Sequence, residues 1–320
     1  MNKFLTYMVE ELGKGKLPTP TNIAWNISPK VNAVFRNGTK KDKEILFKGF
    51  IGEIDPKEAL KVATRCHRRQ TEEVKRAFEL YDKECVIREN SVVVLINNEY
   101  KEYTGLLASK FMSKYNKVAF VLRKPDTTTY SGSFRSPVDI LNLINSSGYA
   151  NSKGHGCAAG FLCKASNLKR FLDWFDKQDL SEFTDEISVT AKLTTKMITT
   201  KLCRACVEHN DIWGHGIPEP TFYIKTTISP GDITIYEKKT TTIKITKDGV
   251  SFLKFFASPN DVEQLQKYNR FIIEMIVKLN VNEWNGTVYP QGEIVDFEVT
   301  NGSDFIASGD KNDNDWELDF

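Results

Sequence analysis

Two glycine-rich stretches hold the residue types that grip phosphate. They are Ser131-Gly132-Ser133-Phe134-Arg135-Ser136 and Ser152-Lys153-Gly154-His155-Gly156-Cys157-Ala158-Ala159-Gly160. Glycine lets backbone N–H groups come close to an anion, and Ser, Arg and His side chains donate to its oxygens. The same residues also describe a tight turn entering a strand, with His155 satisfied by nearby backbone. A second constellation, Cys203-x-x-Cys206-x-x-His209 with His215 beyond it, has zinc-type donors. Its first three members fall on successive turns of one predicted helix and need not converge, so a core helix is the expected reading. A third set interleaves Phe222, Tyr223, Phe252, Phe255, Trp284 and Tyr289 with Lys225, Lys244, Lys254 and Lys278. Rings beside lysines suit single-stranded nucleic acid, because every base has a stackable face and every phosphate a charge. Most of these rings are expected inside a barrel, with one or two left as platforms.

The elements that must position these residues follow from periodicity. Asp55-Pro56-Lys57-Glu58 predicts a helix start with Asp55 as cap, Pro56 in the first turn and Glu58 completing a capping box. Ala59, Val62, Ala63, Cys66, Val74, Ala77, Phe78 and Tyr81 form its apolar stripe. From Ser91 strand and helix patterns alternate: strands at 91–96, 117–122, 127–133 and 158–163, helices at 103–115, 137–147 and 167–177. That order predicts an α/β domain with a mixed sheet. Beyond Pro220 the pattern is nearly all strand, at 221–228, 233–246, 250–257, 271–282 and 288–299, which predicts a small all-β barrel.

At 320 residues, 40% hydrophobic and 27% charged, the chain is long and apolar enough for more than one core without metal or disulfide staples. Six scattered cysteines suit a reducing compartment, and the absence of a long apolar run argues against a membrane span; a cytoplasmic location is expected. The net charge of +2 conceals an asymmetry. From Asp310 onward there are five acids and one base, so the remaining body carries an excess of six positive charges, a mild bias toward an anionic partner.

Ser131–Ser136 followed by Gly154–Gly160 resembles the DHHA1 domain of DHH-family phosphoesterases, in which a Gly-Ser-x-Arg-Ser strand and a Gly-Gly-His-x-x-Ala-Ala-Gly loop form the substrate-binding half of the site. Lys153 stands where that loop has its first glycine. Thr104–Lys110 resembles the helix before that domain's second strand. Upstream, Ile27–Arg36 resembles the stretch that closes the catalytic domain of RecJ-type single-stranded DNA exonucleases; Asn32, Ala33 and Arg36 fit its pattern while Lys30 and Phe35 depart from it. Downstream, Trp213–Pro220 resembles the entrance to the RecJ OB-fold, and Asn280–Gly286 a turn of its later strands.

The resemblance implies a C-terminal RecJ-like portion with six segments. These are 1–54, the end of the catalytic domain; 55–90, a long connecting helix; 91–180, a DHHA1-like domain; 181–217, a helical connector; 218–300, an OB-fold; and 301–320, a disordered acidic tail. It implies that Ser133 and Arg135 hold DNA phosphate, that Gly154 and His155 contact the strand, and that Arg36 and Asn32 support them. It implies 5′→3′ digestion of single-stranded DNA in repair, recombination or replication, with manganese or magnesium as cofactor. Two-metal hydrolysis needs a dense carboxylate cluster. The sequence contains no Asp-His-His triplet, so no catalytic or metal-binding residue is assigned; the cations are expected on a DHH domain that is either a separate polypeptide or the missing part of a truncated product. The rival expectation is a non-enzymatic single-strand binder or replication scaffold. A small-nucleotide phosphodiesterase of the wider family is disfavoured by the predicted barrel. The tail Asn312–Phe320 resembles the acidic tips through which single-strand-binding proteins dock replication partners; a merely solubilising end is the plain alternative.

Overall fold

The computed structural model describes residues 2–13, 19–181, 188–214, 216–238 and 240–301. The chain divides into two units, Met1–Glu186 and Ile187–Phe320. The first begins with helices: α1 (Lys3–Gly13), the short α2 (Pro20–Asn22) running through a π turn into α3 (Ser28–Asn37), α4 (Lys40–Ile51) and α5 (Pro56–Tyr81). Thr39 and Asp42 form a capping box that opens α4. Asp55 caps α5 through the Lys57 N–H, and the Glu58 N–H goes to the Asp55 carbonyl, so the expected reciprocal box is a simple cap. The stripe read from the sequence is buried, its first half against Phe4, Met8, Val34 and Leu46 of the neighbouring helices.

The second half of α5 leads onto a six-stranded sheet. Its strands are β1 (Val86–Ile87), β2 (Ser91–Ile96), β3 (Val118–Arg123), β4 (Thr129–Arg135), β5 (Ala150–His155) and β6 (Ala158–Lys164), in the order β1-β2-β3-β4-β6-β5. Only β2 and β3 are parallel, joined through the 3₁₀ turn Asn98–Tyr103 and α6 (Thr104–Tyr115). On one face α5 and α6 cover Val92, Val94, Ala119 and Val121. On the other, α7 (Leu141–Ser146) and α8 (Leu168–Phe175) cover Phe120, Phe134 and Phe161. Arg88, between β1 and β2, is bonded to Asp173 and Asp176 at 2.8 and 2.7 Å and fixes the end of α8. Residues 152–155, expected as part of a loop before the strand at 158–163, belong to β5 of the β5–β6 hairpin. The polar β5 is an edge strand whose backbone is engaged by Asn145 of α7, bonded to Ser152 N and O at 2.8 and 3.1 Å.

The second unit is one mixed sheet of β7 (Ala191–Leu193), β8 (Phe222–Ile228), β9 (Ile233–Glu237), β10 (Thr241–Lys247), β11 (Val250–Phe255), β12 (Phe271–Trp284) and β13 (Thr287–Asn301). Its order is β7-β8-β12-β13-β11-β10-β9. Helices α9 (Thr200–Glu208) and α10 (Pro259–Gln266) contribute Cys203 and Leu265 to the core beneath Ile224, Ile243, Phe252 and Met275. The region expected to form a small barrel is a seven-stranded ladder with a bulge at Ile276/Val277, and among the described residues no pairing between β7 and β9 closes it. The long helix is present, and it joins the N-terminal helices to the six-stranded sheet rather than that sheet to the second one.

Candidate nucleic-acid interface

In an antiparallel ladder, directly paired residues project to the same side. Arg135 pairs with Ala158, which pairs with His155; Ser133 pairs with Gly160, which pairs with Lys153. These residues, with Ser131, Leu162, Lys164 and Asn151, therefore share one face. On β3 that face is buried beneath α6. On β6 and β5 it is open: Gly160, Leu162, Lys164, Asn151, Lys153 and His155 are all exposed. The result is a shelf, floored by β4, β6 and β5 and walled on one side by α6. The residues that β4, β5 and β6 turn toward it include three cations (Arg135, Lys153 and Lys164) and no carboxylate.

Arg135 sits where wall meets floor. It is half-buried, donates from Nη1 to the Phe134 carbonyl at 2.8 Å, and has no carboxylate in ion-pair distance among the described residues. Burial, and secondarily the charge of Arg36, push its pKa below the usual arginine value. A guanidinium that is partly dried, unpaired and facing a like charge is a site that an anion would relieve. Ser133 Oγ lies 2.9 Å from Thr104 Oγ1 at the start of α6.

The charge of Arg36 is felt at Arg135, and hydrogen bonds beside it tie α3 to α5. Asn37, the neighbour of Arg36 on α3, donates to the Cys66 carbonyl at 3.0 Å and accepts from Arg69. Glu73, one turn further along α5, accepts from the Tyr103 hydroxyl, whose pKa is pushed up to about 12 by burial and by that bond. Arg36 and Asn32 are both exposed on α3. Arg36 thus acts on Arg135 by charge, while among the described residues no hydrogen bond brings Asn32 to either. His155 lies two strands from Arg135, about 10 Å by inter-strand spacing, at the tip of the β5–β6 hairpin.

The glycines divide by role. Gly154 has φ +149°, and a Cβ there would come within 2.8 Å of the Ala159 Cα, so no other residue fits before His155. Gly156 lies against the Asp139 carboxylate. Gly132, read from the sequence as an anion-approach glycine, is instead a packing glycine. It pairs with Leu122 and Phe161 on the covered face, and a Cβ would strike the Val121 carbonyl.

The seven-stranded sheet has an exposed outer face of different character. Tyr236, Thr242, Lys244, Ser251, Leu253, Asn282 and Gln291 line a depression of 460 Å³ there. The register puts Phe255, Tyr289 and Trp284 on the same side, exposed by 43%, 47% and 68%. Of the rings noted in the sequence, Phe222 and Phe252 are core, and Tyr223 is tied to Glu274 at 2.7 Å. Tyr236 was not among them. Lys225 and Lys278 pair with Glu274 and Glu219, and Lys254 donates to the Val295 carbonyl, which leaves Lys244 without an ion pair among the described residues.

The cysteine constellation is a helix, as its spacing suggested. Cys203 is fully buried, burial raises the thiol pKa of both Cys203 and Cys206, and His209 ends α9 with its ring edge-on to Trp213. His215 and the acidic tail lie outside the described residues. Among the described residues no group of three or more His, Cys, Asp or Glu is placed to hold a metal ion, and no helix is long and apolar enough to cross a membrane.

Comparisons with known proteins bear on the fold and on the second unit. Residues 189–296 match the RecJ OB domain family. The chain is 26% identical over 219 residues to YorK of Bacillus subtilis (strain 168), named as an SPbeta prophage-derived single-strand DNA-specific exonuclease, and equally to its counterpart in Bacillus phage SPbeta. Those alignments cover 62% of this chain and 37% of the relatives, so the chain matches well under two thirds of their length. Crystal structures of RecJ from Thermus thermophilus with Mn²⁺ and with Mg²⁺ superpose with TM-scores of 0.65 and 0.67 at 18% and 19% identity. They cover 92% of this chain and 44% and 46% of those proteins. The chain is RecJ-like in fold and in its OB segment, consistent with a C-terminal RecJ-like portion.

Proposed function

We propose that this chain is the strand-gripping part of a RecJ-like 5′→3′ single-stranded DNA exonuclease. The cationic shelf beside α6 takes phosphates, and the outer face of the seven-stranded sheet stacks bases. The observation that carries the reading is Arg135: a half-buried guanidinium without a carboxylate, on a shelf whose strands supply only cations. In this reading Arg135 and Ser133 donate to one phosphate, Arg36 adds charge from α3, and Gly154 holds the hairpin tip so that His155 meets the strand farther along. The segment 91–180 acts as a DHHA1-like substrate-binding domain, and Asn32 extends the α3 side of the track.

Hydrolysis in this class uses two divalent cations to activate water and to steady the attacking and leaving oxygens. The described residues offer no cluster that fits such ions, so no step is assigned to them. Manganese or magnesium would be held by a domain bearing the DHH motifs, on a separate polypeptide or on a further part of the same protein, to which these residues present the strand. The same lack of a fitting cluster favours a second reading, a non-enzymatic single-stranded DNA-binding or replication scaffold. The acidic tail 301–320 would then serve as a contact for a replication or single-strand-binding protein.

Fluorescence anisotropy with a long oligothymidine, the matching duplex and a dinucleotide tests the grip. The long single strand is expected to bind tightest, and equal affinity for the dinucleotide would sink the extended-track reading. A nuclease assay on 5′-labelled single strands with manganese separates the two readings. The chain by itself should leave the strand intact; cleavage only when a DHH-bearing polypeptide is added supports the split enzyme. Binding with no such partner able to restore cleavage supports the scaffold.

A further inference from the structure

Among the described residues no acid holds the guanidinium of Arg135, and the charge of Arg36 opposes it, so something other than attraction must keep it at the shelf's inner corner. The first turn of α6 supplies the answer. Gly105 has no side chain, and a Cβ built there would stand 2.9 Å from Arg135 Nη2 and 3.7 Å from Ser133 Oγ. A separation under 3 Å is closer than real Cβ contacts come, so the guanidinium rests in the space that a side chain at 105 would take. The preceding residue, Thr104, is hydrogen-bonded through its hydroxyl to Ser133 Oγ at 2.9 Å. Two consecutive residues of α6 therefore touch the two β4 side chains proposed to hold phosphate.

We infer that Thr104 and Gly105 are positioning residues that seat Ser133 and Arg135 for the phosphate; the inference rests on the function proposed above. The seat works by shape. A bare Cα lets the guanidinium lie against the helix start, and Nη1 is fixed by the Phe134 carbonyl at 2.8 Å. With that nitrogen held, the remaining donors are left for a ligand. The Thr104 hydroxyl limits the rotamers of Ser133 in the same way, so both donors are oriented before the strand arrives. A glycine inside a helix weakens it relative to alanine, which is consistent with Gly105 serving the site rather than the fold.

The atom in the way of a Cβ at 105 is the far end of a flexible side chain, so Gly105→Ala should displace Arg135 without harming the fold. The experiment is anisotropy with an oligothymidine across a salt series for the wild type, Gly105→Ala, Arg135→Ala and the double variant, with melting curves for each. Gly105→Ala is expected to melt no lower than wild type, to bind roughly tenfold more weakly at low salt, and to show a flatter salt dependence. In the Arg135→Ala background the same change should do nothing further. Thr104→Val should weaken binding and Thr104→Ser should restore it. Wild-type binding by Gly105→Ala, or an equal loss in both backgrounds, overturns the positioning role while leaving the phosphate site standing. Wild-type binding by Arg135→Ala removes both.

Discussion

The shelf of the six-stranded sheet carries Arg135, Lys153 and Lys164 and no Phe, Tyr or Trp, whereas the outer face of the seven-stranded sheet carries Tyr236, Phe255, Trp284 and Tyr289 with Lys238 and Lys244 among its cations. Each is an open face of a sheet whose other side is closed by helices. The difference lies in what each can exchange with a nucleic acid. In the proposed function, charge on the shelf would displace counterions, so its contribution would fall steeply with salt. Rings on the outer face would stack on bases, a contribution that changes little with salt. Binding by the two faces therefore separates on a plot of affinity against ionic strength, where one controls the slope and the other the offset.

The largest effect is expected from removing the platform. Trp284→Ala combined with Tyr289→Ala should cost about 2–6 kcal/mol of single-strand affinity if each ring stacks one base, with the salt slope unchanged. A changed slope would mean that the two faces are not chemically distinct. Next in size is Gly154→Ala, where both the backbone conformation and the approach of Ala159 oppose a methyl group. It should destabilise the first unit by about 1–3 kcal/mol in chemical unfolding and weaken binding by shifting the hairpin tip. Unaltered stability would show that the tip relaxes freely.

The smallest effect comes from Asp42, which serves as a control away from both faces. Burial pushes its carboxyl pKa up, but the Thr39 bonds and Arg65 outweigh that and hold it below the usual carboxylate range. A depressed folded pKa contributes stability that is complete above the unfolded value and is lost as pH falls through the folded one, below about pH 4. Asp42→Asn should therefore cost about 1 kcal/mol at neutral pH and flatten the decline of stability in acid. DNA binding should keep both slope and offset. Any loss of binding beyond the loss of folded protein would tie α4 to the site.

Much of this arrangement was legible before the fold was in view, for reasons that differ by residue. The α5 stripe was plain because eight buried positions repeat at helical spacing and Asp55-Pro56 marks the start. Ser133, Arg135 and His155 were readable as residue types, and the ladder puts all three on one face. Strand β5 was not readable. Its residues, Ala-Asn-Ser-Lys-Gly-His, have weak strand propensity, and only Ala150 and Ser152 are buried, so pairing to β6 and the Asn145 bonds decide its conformation. Tyr236 was missed for another reason. Residues 233–246 read as one strand because no Gly or Pro marks the break near Lys238, and an unseen break scrambles which side each later residue faces. That the charge of Arg36 reaches Arg135 was not readable, because it depends on how α3 packs against α5 and the turn before α6.

The central claim is that a lone arginine at the foot of α6 pairs with phosphate, and the salt dependence of Arg135→Ala tests it most directly. Plotted as the logarithm of the oligothymidine binding constant against that of salt concentration, the variant's slope should be shallower than wild type by about one phosphate contact, with the melting temperature preserved. A parallel line, at whatever affinity, would mean that Arg135 does not meet the strand and would contradict the account.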